Sequence, residues 1–90
     1  MRDAIVPVAV DGFQIEMMDG EMVLLHPSRN IIIHGNQTSA LIWQLCDGKR
    51  TVDEIVELLS AAYADAANDI RNDVPAAIQT LMDQGALTTR

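Results

Sequence analysis

The 90-residue chain has little positive charge, one cysteine and no long apolar run. Six Lys and Arg stand against thirteen Asp and Glu, and the resulting formal charge of −7 opposes binding to phosphate backbones. The single cysteine, Cys46, excludes an internal disulfide and is typical of a reducing compartment. No apolar stretch approaches the ~20 residues that cross a bilayer. We therefore expect a cytoplasmic protein that binds neither nucleic acid nor membrane.

Side chains that catalyse reactions or bind metals are also few. Zinc sites use four Cys, His or carboxylate ligands in paired spacings, and neither His26 nor His34 forms such a pair with Cys46. The serines lie in no arrangement that resembles a nucleophile elbow, and the glycines lack phosphate-loop spacing. We therefore predict no enzymatic activity, no cofactor and no metal site.

The first third of the chain predicts three short antiparallel strands, over residues 13–17, 21–26 and 29–34. Asp19-Gly20 separates the first two segments, and an Asp-Gly pair between apolar segments is a strong hairpin signal. The third segment contains Ile31-Ile32-Ile33, a β-branched triplet that favours a sheet.

The rest of the chain predicts three helices. Apolar residues recur at helical spacing over residues 38–45, and Thr51 with Glu54 forms a capping box that opens the second helix. The third helix is expected to start near residue 69 or 73 and to reach Gln84. Proline is tolerated in a first turn, so Pro75 places the regular part of this helix from about residue 72 onward.

The predicted fold class is α+β, with a three-stranded antiparallel sheet followed by three helices in a winged-helix-like arrangement. We expect one domain over residues 1–90, with residues 1–12 as a candidate flexible arm. A winged helix could bind DNA through its third helix. That helix offers Arg71 at its entry and no base within its body, which counts against reading of base edges.

An open strand edge is the remaining feature of the sequence that indicates a function. Three strands cannot close a barrel, and Ile31–Ile33 carries neither the charge nor the proline that usually protects an edge. The third helix has small side chains at Ala76, Ala77 and Thr80, which would leave a groove for an extended peptide. The alternative at this point is a central third strand with alanines that merely fill a helix.

Three segments together resemble the PqqD-like family, whose members are also called RiPP recognition elements. They are Val23-Leu24-Leu25-His26-Pro27 with Ile31-Ile32-Ile33; the run Ala40–Val56, which contains Asp47-Gly48 and Thr51-Val52; and Asp73-Val74, Leu81 and Gly85-Ala86-Leu87. The resemblance covers roughly residues 20–88. It departs from the family pattern at His34-Gly35-Asn36, and at Ala77, where the family often has a large side chain.

The resemblance implies a non-catalytic module that binds the leader region of a ribosomally synthesised precursor peptide. Such a module presents the peptide to a modifying enzyme in pyrroloquinoline quinone or other RiPP biosynthesis. In the case of PqqD itself this enzyme is a radical SAM protein, and the resemblance implies a radical SAM partner here. The leader adds as a strand beside the third strand and packs against the third helix. In this sequence the peptide-binding residues would be Arg29, Asn30, Ile31, Ile32, Ile33, Ala77, Thr80, Leu81 and Gln84.

Two other functions stay open at this point. One is a winged-helix regulator that binds DNA or another protein, and the other is a small structural subunit without a peptide ligand. The oligomeric state is expected to be a monomer or a homodimer joined through the open strand edge.

Overall fold

The computed structural model describes residues 5–90 of the chain. It confirms the α+β class, because three antiparallel strands, β2 to β4, are followed by three helices in a winged-helix-like arrangement. A short strand lies at each end of the described part. The elements in chain order are β1 (Pro7–Ala9), β2 (Gln14–Met18), β3 (Glu21–His26), β4 (Ile31–Asn36), α1 (Gln37–Leu45), α2 (Val52–Ala62), a 3₁₀ turn (Ala64–Ala66), α3 (Ala67–Asp83) and β5 (Leu87–Thr89).

The three-stranded sheet has the order β2-β3-β4, with β3 in the centre. The predicted hairpin at Asp19-Gly20 is confirmed: Met18 pairs with Glu21, and the two turn residues have φ angles of 52° and 79°. Two consecutive left-handed residues make a type I′ turn, whose twist matches that of the strands it joins. β2 and β4 are therefore the two edges of this sheet.

The start of β4 differs from the prediction. Residues 29 and 30 were expected to belong to the strand, but the strand begins at Ile31, which pairs with His26. The backbone N–H of Arg29 donates to the carbonyl of His26 at 3.2 Å, and Asn30 is left-handed with φ 55°. The chain reverses direction within residues 27–30, so Arg29 and Asn30 form the turn rather than the strand.

Side-chain caps fix the starts of α1 and α2. The N–H of Ser39 donates to Asn36 Oδ1 at 2.8 Å, which caps α1 directly after β4. At α2 the predicted capping box is confirmed. Thr51 Oγ1 accepts from the N–H of Glu54 at 3.1 Å, and Glu54 Oε1 accepts from the N–H of Thr51 at 2.9 Å.

Helix α3 is longer than predicted. It begins at Ala67, two residues before the earlier of the two expected starts, so Pro75 lies inside the helix rather than in its first turn. The prediction that the regular part begins near residue 72 was wrong. An internal proline removes one helical hydrogen bond. The helix continues through it because half-buried Ile70 and buried Val74 extend the core-facing stripe toward the N-terminus. Packing therefore outweighs the local preference of proline.

The short strands β1 and β5 pair with each other and were not predicted. Pro7 lies opposite Thr89, and Ala9 lies opposite Leu87. The candidate flexible arm over residues 1–12 includes residues 7–9, which belong to this sheet, and its flexibility stays a prediction. Residues 1–4 lie outside the described part.

The core lies between the inner face of the three-stranded sheet and the helices. Met22, Leu24 and Ile33 contribute from the sheet, and Ile55 and Val74 are the most buried residues of α2 and α3. Cys46 is also buried, as expected of a small apolar side chain. Burial, with a smaller contribution from the neighbouring Asp47 carboxylate, raises the pKa of the Cys46 thiol to about 12.

Candidate functional site

The outer edge of β4 is open. β3 pairs with one side of β4, and within residues 5–90 no strand pairs with the other side. Along β4 the side chains alternate: Ile33 is buried against the core, whereas Ile32 points outward and is 60% exposed. An edge strand of this kind can accept an extended segment through its unpaired backbone groups.

A cleft of about 230 Å³ lies beside this edge, between β4, the first turn of α1 and the C-terminal half of α3. Buried side chains form its floor, small half-buried residues line its walls, and exposed polar side chains form its rim. The lining residues are Met22 and Leu81 on the floor, Gly35, Ser39 and Ala77 on the walls, and His34, Thr80 and Gln84 at the rim.

Small side chains at two positions keep the cleft open. A Cβ atom at Gly35 would lie 2.8 Å from Met22 Cε and 3.0 Å from Ser39 Cβ, so a larger residue there would crowd the cleft. Ala77 faces this strand from α3 and is half-buried. Two of the residues that depart from the family pattern at positions 34–36, His34 and Gly35, therefore line the same cleft as the third departure, Ala77.

The structure brings together four of the predicted peptide-binding residues, three on α3 and one at its C-cap. They are Ala77, Thr80, Leu81 and Gln84, and they line the cleft. The hydroxyl of Thr80 donates to the carbonyl of Ala76 at 3.0 Å, so this side chain is tied to its own helix.

The other predicted site residues divide between strand and turn. Ile31, Ile32 and Ile33 belong to β4, beside the cleft, whereas Arg29 and Asn30 lie in the turn before it.

Four residues that line the cleft were not predicted. They are Met22, His34, Gly35 and Ser39. A glycine within a strand often marks a close approach of another backbone or ligand, so Gly35 carried a usable sequence signal. Met22 and Ser39 carried none, because only the packing of β3 and α1 against α3 brings them to this place.

His26 has a structural role. Its ring is buried, with Nε2 3.1 Å from the Asp11 carbonyl oxygen and Nδ1 accepting from the N–H of Arg29 at 3.2 Å. This bonding assigns the proton to Nε2, which donates to Asp11. The ring also packs edge-on against Phe13, with centroids 4.9 Å apart.

The described residues form neither a metal-ligand cluster nor a helix that could span a membrane. Over residues 5–90, no cluster of three or more His, Cys, Asp or Glu side chains is placed to hold a metal ion. Within the same range, each helix falls short of the length and apolarity that a membrane span requires.

Comparison with known proteins adds a family to this geometry. The family described as Coenzyme PQQ synthesis protein D (PqqD) matches residues 21–87, which include the whole three-stranded sheet except β2, and all three helices. The chain belongs to the PqqD family. The family match thus contains the open β4 edge and every residue that lines the cleft.

Curated relatives in this family carry the name PqqA binding protein. One, from Rhodopseudomonas palustris (strain BisB5), is 38% identical over 66 residues, which is 73% of this chain and 63% of the relative. Another, from Bradyrhizobium diazoefficiens, is 36% identical over 66 residues, which is 73% of this chain and 62% of the relative. The match therefore spans less than two thirds of the length of these relatives.

A solved structure shares the PqqD fold. It is described as TbiB1 in complex with the TbiA(beta) leader peptide, and it superposes with a TM-score of 0.69 at 22% identity. The superposition covers 89% of this chain and 93% of that chain. At this identity the likeness shows a common fold.

Proposed function

We propose that this chain binds the leader region of a ribosomally synthesised precursor peptide and presents it to a modifying enzyme. The observation that carries this proposal is the open edge of β4 beside a cleft with an apolar floor, between β4 and α3. The names of the PqqA binding proteins and the leader peptide bound to TbiB1 support it.

The leader adds to the sheet as a strand along β4. Backbone hydrogen bonds to the strand edge supply much of the affinity and are independent of the peptide sequence. Every second side chain of an added strand points to the same face of the sheet, so alternate leader residues face the cleft. Arg29 and Asn30, in the turn before β4, contact the leader at the end of the added strand.

The cleft selects the leader by its apolar side chains. Met22 and Leu81 are 0% and 4% exposed and form an apolar floor. A leader side chain that enters between Gly35 and Ala77 replaces water at this floor, and a buried apolar side chain is worth about 1.5–3 kcal/mol. Gln84 at the rim is placed to bond the leader backbone.

The role we propose is non-catalytic. Both ring nitrogens of His26 are engaged in hydrogen bonds, and the thiol of Cys46 is buried with a pKa raised to about 12. Neither side chain is placed to act as a base or a nucleophile at the cleft. The chemistry belongs to the modifying enzyme, a radical SAM protein that works with this chain in the cytoplasm.

The alternative of a DNA-binding regulator has less support. In a winged helix the recognition helix supplies Lys and Arg to phosphates and base edges. Over Ala67–Asp83, helix α3 carries Arg71 as its one base and three acids, Asp69, Asp73 and Asp83. Such a helix repels a phosphate backbone.

The test is a titration of nitrogen-15-labelled chain with two synthetic precursor peptides. One is encoded by the open reading frame nearest to the gene of this chain, and the other is PqqA of Bradyrhizobium diazoefficiens. We expect amide shifts in Ile31–Asn36 and in residues 77–84, while amides in β1 and β5 stay unchanged and serve as an internal reference.

The proposal is overturned if neither peptide shifts these amides at about 100 µM, a concentration that detects even weak micromolar complexes. A scrambled peptide and a DNA duplex are the controls, and shifts with the duplex alone would establish the regulator instead. Sedimentation before and after peptide addition shows whether a homodimer joined through β4 competes with the peptide.

A further inference from the structure

A second cleft, of about 320 Å³, lies where the end of α2, the 3₁₀ turn and the start of α3 meet the first turn of α1. Its walls are mainly apolar, with polar side chains on the α1 side. The lining residues are Gln37, Thr38, Leu41, Leu59, Tyr63, Ala66 and Ile70. Its volume lies at the lower end of the range of pockets that bind small molecules.

The alanine-rich link between α2 and α3 creates this cleft. α2 ends at Ala62, the N–H of the C-cap Tyr63 donates to the carbonyl of Leu59, and Ala66 closes the 3₁₀ turn that follows. Alanine at residue 66 leaves space that a larger side chain would fill. The ring of Tyr63 forms one wall and is 53% exposed, so the cleft is open to solvent.

The second cleft lies further along α3 from the cleft beside β4, which is called the first cleft below. Ile70 lines the second cleft and Ala77 lines the first, and seven residues are almost two full helical turns, about 10.5 Å along one face. The first turn of α1 separates the two clefts: Thr38 faces the second and Ser39 the first. A peptide that leaves the first cleft past this turn reaches the second.

The direction of β4 decides which part of the peptide lies nearest the second cleft. All pairings in the three-stranded sheet are antiparallel, and antiparallel pairing is the more stable kind per residue. β4 runs toward α1, so an antiparallel added strand has its N-terminal end beside Asn36 and the start of α1. The peptide segment N-terminal to the added strand therefore lies nearest the second cleft.

The segment of the chain that supplies most of the lining of the second cleft is acidic, which indicates the chemistry of the peptide segment. Residues 57–73 contain the acids Glu57, Asp65, Asp69 and Asp73 and the single base Arg71. Complementary charge across an interface steers association and suppresses wrong partners. Lys or Arg next to an apolar anchor would match this surface.

We propose that the second cleft binds one large apolar side chain of the precursor peptide, from the segment N-terminal to the added strand and adjacent to Lys or Arg. This inference rests on the proposed function, because the same peptide occupies both clefts. It gives the chain a second point of selection that strand addition alone does not supply. The two contacts lie on one peptide, so each raises the effective concentration of the other.

Fluorine NMR at Tyr63 tests this directly. Tyr63 is the only tyrosine of the chain, so 3-fluorotyrosine gives a single resonance that reports on the second cleft. We expect this resonance to shift with the full-length peptide of the titration above. It should stay in place with a peptide from which every residue N-terminal to the added strand is removed, although that peptide still shifts the β4 amides.

Matched variants test the same point by affinity. Ala66→Leu fills the second cleft, whereas Ala61→Leu adds the same atoms on an exposed face of α2 that does not line it. Ala66→Leu should lower the affinity for the full-length peptide about tenfold, because the peptide then loses the burial of one large side chain. It should leave the shortened peptide unchanged, and Ala61→Leu should change neither.

The outcomes separate this inference from the proposed function. If the β4 amides shift while the fluorine resonance stays fixed and Ala66→Leu binds as the parent chain does, the second cleft is not a peptide site and the proposed function stands. If the fluorine resonance shifts equally with the shortened peptide, the assignment to the N-terminal segment is wrong. If no peptide shifts any amide, both proposals fail together.

Discussion

The outer edges of β1 and β4 differ in whether their backbone groups are hydrogen-bonded within the fold. β1 has β5 on one side, and on the other side Ala9 donates to the Cys46 carbonyl at 2.9 Å while the Pro7 carbonyl accepts from Gly48 at 3.1 Å. β4 has β3 on one side and an apolar cleft beside its open edge. The backbone groups on the outer side of β1 are therefore bonded within the fold, whereas the outer edge of β4 has no partner strand within residues 5–90.

The second edge of the three-stranded sheet sharpens this contrast. β2 exposes four of its five residues and has only Ile15 half-buried, so little distinguishes its two faces. β4 alternates between buried Ile33 and exposed Ile32. Strand register is well specified only where one face is buried, so the register of an added strand would be better specified at β4 than at β2.

The largest effect on stability is expected at the sheet formed by β1 and β5. Gly48→Ala places a side chain in the left-handed region, at φ 80°, with its Cβ 3.2 Å from Val8 Cγ2. We expect a loss of about 2 kcal/mol in the free energy of unfolding, measured by urea denaturation, with the peptide affinity of the folded chain unchanged.

Gly85→Ala is the control for this substitution. Gly85 has almost the same conformation, φ 84°, but a Cβ there meets nothing within 4 Å. Its cost should be about 1 kcal/mol, from the backbone conformation alone. Equal losses for the two variants would show that β1 does not pack closely against the loop at Gly48.

At β4 the expected effect is on binding instead. Ala77→Phe fills the first cleft from the α3 side. It should lower the affinity for the precursor peptide at least tenfold, measured by calorimetry. Ala76→Phe changes the adjacent, exposed position of the same helix and should leave affinity unchanged. A parent-like affinity for Ala77→Phe would mean that the peptide does not enter the cleft.

A smaller effect is expected on the outer face of β4. Ile32→Ala removes an exposed side chain that would pair with the added strand, and such cross-strand pairs contribute about 0.2–1 kcal/mol. The peptide affinity should fall by up to about fivefold. Met18→Ala, at a comparably exposed position of β2, is the matched control, and a similar loss there would contradict binding at β4 alone.

The smallest effect concerns the stability of the fold in acid, through Asp47, which lies beside β1. The N–H of Lys49 donates to Asp47 Oδ1 at 2.9 Å, and this bond, with the charge of Arg50, lowers the pKa of the Asp47 carboxyl. A lowered pKa stabilises the fold at pH values above the normal carboxyl pKa of 3.8, and the contribution is lost as pH falls below it.

The Asp47→Asn variant isolates this contribution. The difference in melting temperature between the parent chain and Asp47→Asn should therefore shrink between pH 6 and pH 3. A difference that stays constant over this range would assign the effect to shape rather than charge.

Local sequence signals predicted the elements whose structure is fixed locally. The Asp19-Gly20 turn and the Thr51–Glu54 capping box each satisfy their geometry within four residues, and both are confirmed. The start of α3 was predicted wrongly, because Pro75 is a strong local signal that the packing of Ile70 and Val74 overrides.

Long-range pairing explains what the sequence could not reveal. β1 and β5 are three residues long and about 80 residues apart, and neither has an alternating pattern of useful length. The same holds for the first cleft: Ala77 and Leu81 were predicted from the helix and the family resemblance, but Met22 and Ser39 reach it only through tertiary packing. The second cleft depends on three helices at once and had no sequence signal.

The pairing of β1 with β5 also bears on how this unit can be rebuilt. The N–H of Arg90 donates to the Val6 carbonyl at 2.9 Å, so residues 6 and 90 are neighbours in space. A circular permutant could join these positions with a short glycine linker and open the chain at Asp19-Gly20 instead. The same geometry would let the unit be inserted into a surface loop of a host enzyme, with both β4 and its cleft left free.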